Sequence, residues 1–286
     1  MSHVRNLLYR PSGDGHGPIS APTGAATVAP PSETAPPKRP ATAPPSGQFP
    51  VIEARVPPDS RLVFHTDPNG AAADRFRLLR VRLREFWNAG KLKTLLVTSP
   101  LEHDGKSTVT LNLAAALCER GKRSVLVVEA DLHHSPLTEK LGLTPWAGVA
   151  DCLTDEMFPP MSAIRRVEPL GYHLLPAGGP RHNAAELLQG PAFGQIIRRL
   201  SSAFDWILID SPPAIALTDA ISIQHHVDGT LLVVRAAQTP REAVEESVGL
   251  LGRNKIVGIV LNGVEPRGNA YYRYRRYEGV RDRPED

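Results

Sequence analysis

Residues 99–108 carry the amino-acid types of a phosphate-binding loop. They read Ser-Pro-Leu-Glu-His-Asp-Gly-Lys-Ser-Thr and lie between an apolar run and a stretch with helical spacing. Gly105 lets the backbone approach phosphate oxygens, Lys106 can reach the β and γ oxygens, and the Ser107 hydroxyl is a ligand type that Mg²⁺ accepts. The start of the following helix adds N–H groups that favour an anion. The nucleotide contacts that we predict in this loop are Asp104, Gly105, Lys106, Ser107 and Thr108.

Two other apolar runs end in carboxylates. Val125–Val128 is followed by Glu129 and Asp131, and Trp206–Ile209 is followed by Asp210. Ligands of an open parallel sheet bind beyond the carboxyl ends of its strands, so we expect these acids and the loop to converge on one nucleotide–metal site. Each acid taken alone could equally be a helix N-cap or a solvated loop residue. The predicted Mg²⁺ ligands are Ser107, Glu129, Asp131 and Asp210.

The elements around these residues alternate between strand and helix. This alternation predicts an α/β fold with a doubly wound, mostly parallel sheet, because strands covered on both faces are continuously apolar. We predict strands at Leu95–Thr98, Ser124–Val128, Tyr172–Leu175, Trp206–Ile209, Thr230–Val234 and Ile256–Leu261. The predicted helices are Ala71–Trp87, Lys106–Arg120, Ala184–Ala203, Thr218–His225 and Pro240–Gly252.

Composition divides the 286-residue chain into one P-loop domain, residues 59–266, between two tails. Residues 1–58 hold 13 of the 28 prolines, and we predict that this segment is disordered, either as a solvated tail or as a docking arm that presents polyproline to a partner. No apolar run approaches the roughly 20 residues that span a bilayer. Two cysteines are too few for a disulfide framework, so we expect a cytoplasmic protein.

The second tail, residues 267–286, concentrates tyrosine and arginine. Four of the six tyrosines fall within seven residues: Tyr271, Tyr272, Tyr274 and Tyr277. Arginines stand between them. The segment is either a flexible arm whose tyrosines enter a neighbour's active site or an aromatic–basic patch that stacks on single-stranded nucleic acid. No groove-forming module accompanies it, which favours the first interpretation and predicts no nucleic-acid partner.

Further motifs, in order along the chain, resemble those of a known family. Asp210–Pro213 looks like a Walker B signature, Asn183–Leu188 resembles an Asn-Pro-Ala-Glu-Leu-Leu stretch, and Val260–Asn262 resembles the strand before the tail. Over roughly residues 70–277 the chain is similar to the bacterial tyrosine kinases of capsule and exopolysaccharide synthesis. Asp74, Arg77 and Arg80 occupy that family's Glu-x-x-Arg-x-x-Arg helix.

The resemblance implies ATP and Mg²⁺ as cofactors and transfer of the γ-phosphate to the four tail tyrosines of a neighbouring copy. It implies Lys106, Asp131 and Asp210 as catalytic residues and Asn262 as a further nucleotide contact. The arginine-containing helix, residues 71–87, would build a ring-like homo-oligomer, with a solvated amphipathic face as the alternative. A membrane activator would recruit the chain to the inner face of the plasma membrane, and a tyrosine phosphatase would reverse the reaction.

The related cell-division-site and chromosome-partitioning ATPases are the alternative function. They carry a signature lysine four residues before the loop glycine, and this position is Leu101 here, which favours a kinase. The chain also departs from the kinase pattern at Glu102 and His103, which replace Pro and Gly, at Glu129, which replaces Asp, and at His133, where Arg is common. These departures leave open a catalytically weak or inactive member that acts as a nucleotide-dependent scaffold.

Overall fold

One nine-stranded sheet organises the part of the chain that the structure, a computed structural model, describes: the backbone of residues 5–7, and residues 49–179, 181 and 183–264. The strands are β1 (Arg5–Leu7), β2 (Val51–Glu53), β3 (Thr94–Thr98), β4 (Val125–Glu129), β5 (Arg165–Glu168), β6 (His173–Leu175), β7 (Trp206–Asp210), β8 (Gly229–Arg235) and β9 (Ile256–Asn262). Their spatial order is β1-β9-β8-β3-β7-β4-β6-β5-β2, and antiparallel pairing occurs only at β1–β9 and β5–β6. The predicted doubly wound, mostly parallel sheet is confirmed.

Helices cover both faces of the sheet. The described helices are α1 (Val63–Thr66), α2 (Ala71–Asn88), α3 (Lys106–Leu117), α4 (Pro136–Lys140), α5 (Val149–Thr154), α6 (Pro160–Ala163), α7 (Ala184–Gln189), α8 (Pro191–Ser201), α9 (Asp219–Gln224) and α10 (Arg241–Leu251). A 3₁₀ turn at Arg253–Lys255 leads into β9. None of the helices in these ranges is long and apolar enough to cross a membrane.

Side-chain alternation along the central strands supplies two hydrophobic cores. Leu95 and Val97 of β3 pack with α2 and α3 on one face, whereas Leu96 packs with α7, α8 and α9 on the other. All residues of β3, β4 and β7 are buried, as expected for strands covered on both faces. Parallel pairing sets Glu129 beside Asp210, so the acidic ends of β4 and β7 are neighbours at one edge of the sheet.

Two predicted helices end earlier than expected. The prediction of one helix at Ala184–Ala203 is wrong, because Gly190 is extended and Pro191 starts a new helix. A residue that precedes proline is disfavoured in the helical region. Helix α3 ends at Leu117 because left-handed backbone follows at Glu119 and Arg120, where φ is 48° and 59°.

The prediction that residues 1–58 are disordered is wrong for residues 5–7 and 49–58; the rest of that segment lies outside the described residues. Val51–Glu53 extends the sheet by parallel pairing with β5, and Arg5–Leu7 pairs with β9. Phe49 packs on His173 and Phe204, with ring centroids 5.1 and 5.8 Å away. Composition alone does not reveal such pairing, because the backbone of a short edge strand is stabilised by the neighbouring strand.

Candidate nucleotide-binding site

The predicted phosphate loop connects β3 to α3. Gly105 has φ of +95° at the N-cap of α3, and a Cβ there would come within 2.1 Å of the Asn262 amide nitrogen, so only glycine fits. The same Asn262 nitrogen donates a hydrogen bond of 2.9 Å to the Asp104 carbonyl oxygen. The last residue of β9 therefore holds the loop against the start of α3.

Three side chains around the loop fix its shape. The buried Asp104 carboxylate accepts hydrogen bonds from the Leu101 amide at 3.1 Å and from the Thr239 hydroxyl at 2.7 Å. The Arg235 guanidinium donates to the carbonyl oxygen of His103, a residue with φ of 63°, at 2.9 Å. Both carboxylate oxygens of Asp104 are thus used within the protein, so its side chain positions the loop.

Asp210, at the end of β7, lies beneath the loop and is fully buried. Its two oxygens accept hydrogen bonds from the hydroxyls of Ser107, at 2.8 Å, and Thr110, at 2.9 Å. Burial raises the pKa of Asp210, while the positive charge of Lys106 and the two hydroxyls oppose that rise. The predicted pair of Ser107 and Asp210 is therefore assembled, and Thr110, one turn further along α3, is a contact that the sequence analysis missed.

Asp131 is the second carboxylate of the site and lies beside the loop lysine, Lys106. Its Oδ2 is 3.7 Å from Lys106 Nζ, and both side chains are largely buried. Asp131 Oδ1 accepts a hydrogen bond of 3.2 Å from the His134 backbone amide, which fixes the carboxylate. A carboxylate thus lies directly beside the cation that is expected to contact the terminal phosphates.

A cavity of about 590 Å³ opens above these groups, within the range of ligand pockets. Five of the predicted nucleotide contacts line it, Gly105, Lys106, Ser107, Thr108 and Asn262, together with Asp131, the predicted catalytic residue and metal ligand. The cavity wall also includes charged residues that the sequence analysis did not assign to the site: Arg61, Glu139, Lys140 and Arg235.

Glu129 does not take the predicted role of a metal ligand. Its carboxylate is fully buried and accepts four hydrogen bonds, from the Leu137 amide (2.7 Å), the Thr138 amide and hydroxyl (3.2 and 2.7 Å) and the Ala177 amide (3.1 Å). Burial raises its pKa, against the effect of these donors. The side chain of Glu129 clasps the start of α4 and the segment after β6, so we expect its oxygens to be unavailable to Mg²⁺.

The remaining oxygens suit a magnesium ion that arrives with a nucleotide. No group of three or more His, Cys, Asp or Glu side chains in the described ranges forms a metal site by itself. Mg²⁺ in nucleotide sites typically takes one or two carboxylates and completes its shell with phosphate oxygens and water. The Ser107 hydroxyl, Asp210 and Asp131 supply such a partial set, so the residues present fit the ion.

The predicted oligomerisation residues make contacts within the chain. Asp74 pairs with Arg77 at 2.7 Å, and the Arg77 guanidinium lies 5.4 Å from the centroid of the Phe64 ring. Arg80 donates to the Ala116 carbonyl oxygen at 3.1 Å. These contacts fasten α2 to α1 and α3, and ring formation stays a prediction.

The four predicted phosphoacceptors, Tyr271, Tyr272, Tyr274 and Tyr277, lie outside the described residues.

Similarity to known proteins agrees with this site. The chain is 32% identical over 221 residues to the tyrosine-protein kinase wzc of Salmonella typhi, covering 77% of this chain and 30% of that protein. It is 26% identical to the tyrosine-protein kinase YwqD of Bacillus subtilis over 74% of this chain and 90% of that protein. The chain thus spans less than a third of wzc but most of YwqD.

A solved structure and a family profile extend the comparison. The kinase domain of the Escherichia coli tyrosine kinase ETK superposes with a TM-score of 0.67 and 25% identity, over 72% of this chain and 81% of that domain. Residues 93–265 match the profile of the ParA family, described as NUBPL iron-transfer P-loop NTPase, and these residues include Lys106, Ser107, Asp131, Asp210 and Asn262. The chain therefore belongs to the ParA-like family of P-loop NTPases, and its curated relatives include bacterial tyrosine-protein kinases.

Proposed function

We propose that this protein is an ATP-dependent protein-tyrosine kinase that phosphorylates the C-terminal tyrosines of a neighbouring copy. The observation that carries the proposal is the position of Asp131, 3.7 Å from the phosphate-loop lysine at the wall of the nucleotide cavity. A carboxylate at that place can receive the proton of an attacking phenol while the lysine holds the transferred phosphoryl group. Similarity to tyrosine kinases over about three quarters of the chain agrees with this chemistry.

Each site residue then has a distinct task. The loop amides and Lys106 bind the phosphates and neutralise the charge that develops on the γ-phosphoryl group. Ser107 and Asp210 would hold Mg²⁺, which when bound would supply positive charge that stabilises the charge developing on the phosphates. Asp131 orients the tyrosine hydroxyl and accepts its proton as the new O–P bond forms. ADP leaves with the electrons of the broken P–O bond.

The tyrosine-containing tail begins close to the nucleotide cavity in sequence. Asn262 ends β9 and lines the cavity, so the chain leaves the domain at the edge where the nucleotide binds. From residue 264 to Tyr271 the chain can span at most about 24 Å. Four tyrosines within seven residues can then enter the cavity of an adjacent copy one after another, which is why we propose transfer in trans within a ring.

The proposed role in polysaccharide synthesis is supported by the names of the relatives. One of them, of Rhizobium meliloti, is named succinoglycan biosynthesis transport protein ExoP and is 29% identical over 77% of this chain. We propose that this chain regulates exopolysaccharide or capsule synthesis at the inner face of the plasma membrane. A membrane activator would recruit it, and a tyrosine phosphatase would reset it.

Two features argue against the other activities of the family. Position 101, where the partitioning ATPases carry a signature lysine, is a partly exposed leucine whose amide donates to Asp104. Iron transfer needs accessible thiolates, yet the only two cysteines, Cys118 and Cys152, are buried. Burial raises their pKa to about 12 and about 11, so both thiols stay protonated.

Mass spectrometry of the protein after incubation with Mg-ATP tests the proposal. We expect phosphotyrosine on the tail of the parent chain and none in Lys106→Met, because the lysine stabilises the transferred phosphoryl group. Lys140→Met is the matched control, since Lys140 also lines the cavity but is exposed and lies outside the loop, and it should keep most of the activity. ATP hydrolysis without any phosphotyrosine in the parent chain would instead indicate a partitioning-type ATPase.

A further inference from the structure

A second cavity, of about 810 Å³, lies at the opposite end of α3 from the nucleotide site. The nucleotide cavity is lined by the first residues of α3, whereas this rear cavity is lined by the turn that follows the helix, residues 118–122. The 12 residues of α3 separate the two by about 18 Å. The cavities share no lining residue, so the proposed kinase chemistry does not use the rear one.

The rear cavity is strongly basic. Five cationic side chains line it, namely Arg77, Arg80, Arg120, Lys122 and Arg166. Nearby acids balance two of these cations, because Glu168 pairs with Arg166 and Asp74 pairs with Arg77, both at 2.7 Å, whereas the other carboxylate in the wall, Glu119, pairs with Arg84 at 3.2 Å. The cavity thus holds more positive charge than its own acids balance, which favours an anionic ligand.

Arg120 and Lys122 are exposed at the mouth of this cavity, and within the described chain neither forms an ion pair. The turn that presents them has left-handed backbone at Glu119, Arg120 and Gly121, with φ of 48°, 59° and 86°. Left-handed backbone at two successive non-glycine residues is unfavourable, and such outliers concentrate at functional segments. The mouth of the cavity is therefore built at some cost in backbone energy.

The wall also has an apolar part that suits an aromatic ring. Phe64, Pro169 and Leu170 line it, and the Arg77 guanidinium lies over the Phe64 ring. Arginines beside such a surface form the type of site that recognises an aryl phosphate. Among the described residues that line this cavity, Cys118 is the one Ser, Thr or Cys; it is buried and its pKa is raised to about 12, so the site is suited to binding and not to hydrolysis.

We propose that the rear cavity binds phosphorylated tyrosines in the tail of a second copy of this chain. The inference rests on the proposed function, which makes phosphotyrosine at residues 271–277. Before phosphorylation these residues carry three arginines and no acid, so the cavity repels them. Each phosphate adds about 1.5 to 2 negative charges, so phosphates on all four tyrosines outweigh the three arginines, reverse the sign of the tail and switch docking on.

The position of the tail favours a second copy over the tail of the same chain. β9 ends at the nucleotide cavity, whereas the rear cavity lies at the opposite edge of the sheet. The roughly 24 Å of chain between residue 264 and Tyr271 leaves little length to pass around the domain. Phosphorylation would therefore make a contact between copies that differs from the tail-in-active-site contact.

The test measures binding of a synthetic peptide of residues 265–286 to the full-length Lys106→Met chain by fluorescence anisotropy. The peptide is used with phosphotyrosine at all four tail positions and without phosphate. We expect the phosphorylated peptide to bind at least tenfold more tightly. Because the peptide is synthetic and the chain inactive, this result does not depend on whether the protein makes phosphotyrosine itself.

Charge reversal locates the binding. Arg120→Glu with Lys122→Glu should weaken phosphopeptide binding at least tenfold, whereas the matched control, Arg241→Glu with Arg253→Glu, reverses two exposed cations elsewhere and should leave it within twofold. Equal binding of the two peptides, or equal effects of the two double variants, overturns the proposal. A third result also overturns it: the protein sediments with phosphatidylglycerol vesicles, the Arg120→Glu, Lys122→Glu variant does not, and the phosphorylated peptide binds no better than the unphosphorylated one. The cavity would then be a membrane contact.

Discussion

Replacing Glu129 by Gln tests whether this residue is a clasp or a metal ligand. The side-chain oxygen of Gln can still accept the hydrogen bonds from the Leu137 and Thr138 amides. Its NH₂ group would then lie where the second carboxylate oxygen now accepts a 3.1 Å hydrogen bond from the Ala177 amide, and two donors would face each other. One buried N–H is left unsatisfied, which costs about 1–3 kcal/mol. For a domain of this size, about 2 kcal/mol corresponds to a Tm lower by about 4–8 °C.

Thermal unfolding followed by circular dichroism, with ATP binding measured at several Mg²⁺ concentrations, provides the assay. We expect the lower Tm without a change in the Mg²⁺ requirement. Glu139→Gln is the control, because Glu139 lies in α4, the helix whose amides bind Glu129, but is exposed, and such changes alter stability by about 0.5 kcal/mol or less. A Glu129→Gln chain with the parent's Tm and a raised Mg²⁺ requirement would contradict the structural role of Glu129 and would indicate that it is a metal ligand.

Three further predictions concern the metal, the self-association surface and a buried histidine. Asp210→Asn should raise the Mg²⁺ concentration needed for ATP binding at least tenfold, measured by calorimetry; equal dependence in mutant and parent would move the metal site elsewhere. Leu78→Asp with Val81→Asp, on the exposed side of α2 (45% and 49% exposed), should convert an oligomer to a monomer in light scattering, and an unchanged mass would contradict self-association through α2. Burial lowers the pKa of His173 in the folded protein. Below about pH 6.5 the unfolded state therefore binds more protons than the folded state. The free energy of unfolding should fall as the pH falls through this range, by up to about 1.4 kcal/mol per pH unit. His173→Asn should make that decline shallower in urea titrations at pH 5 to 7, and an identical slope would remove His173 as its source.

The positions of the central residues of the candidate site could be predicted from the sequence. Lys106 and Ser107 follow a strand and open a helix, and Asp131 and Asp210 stand just past buried apolar runs, so parallel pairing alone brings them together. The contacts that shape the loop were not readable. Arg235 reaches the loop from β8, about 130 positions away in sequence, and no local pattern encodes such a contact.

Glu129 shows why a strand-end acid is ambiguous. Sequence places it at the correct edge of the sheet, but the direction of its carboxylate depends on where α4 begins, and the amides of that helix take its oxygens. The edge strand β2 and its neighbour β5 escaped prediction for a related reason. Polar residues at a sheet edge lack the continuous apolar pattern of a central strand, so Val51–Glu53 and Arg165–Glu168 resemble loops until their pairing is known.

Phosphate transfer between two distinguishable copies tests the central proposal most directly. An inactive Lys106→Met chain with its tail intact is mixed with an active chain in which Tyr271, Tyr272, Tyr274 and Tyr277 are all Phe, and Mg-ATP is added. Phe keeps each ring and removes only the nucleophilic oxygen, so we expect phosphotyrosine on the tail of the inactive chain alone. Absence of phosphotyrosine from that tail, or its appearance at Tyr9 or Tyr172 of the all-Phe chain instead, would contradict transfer to the tail of a neighbouring copy.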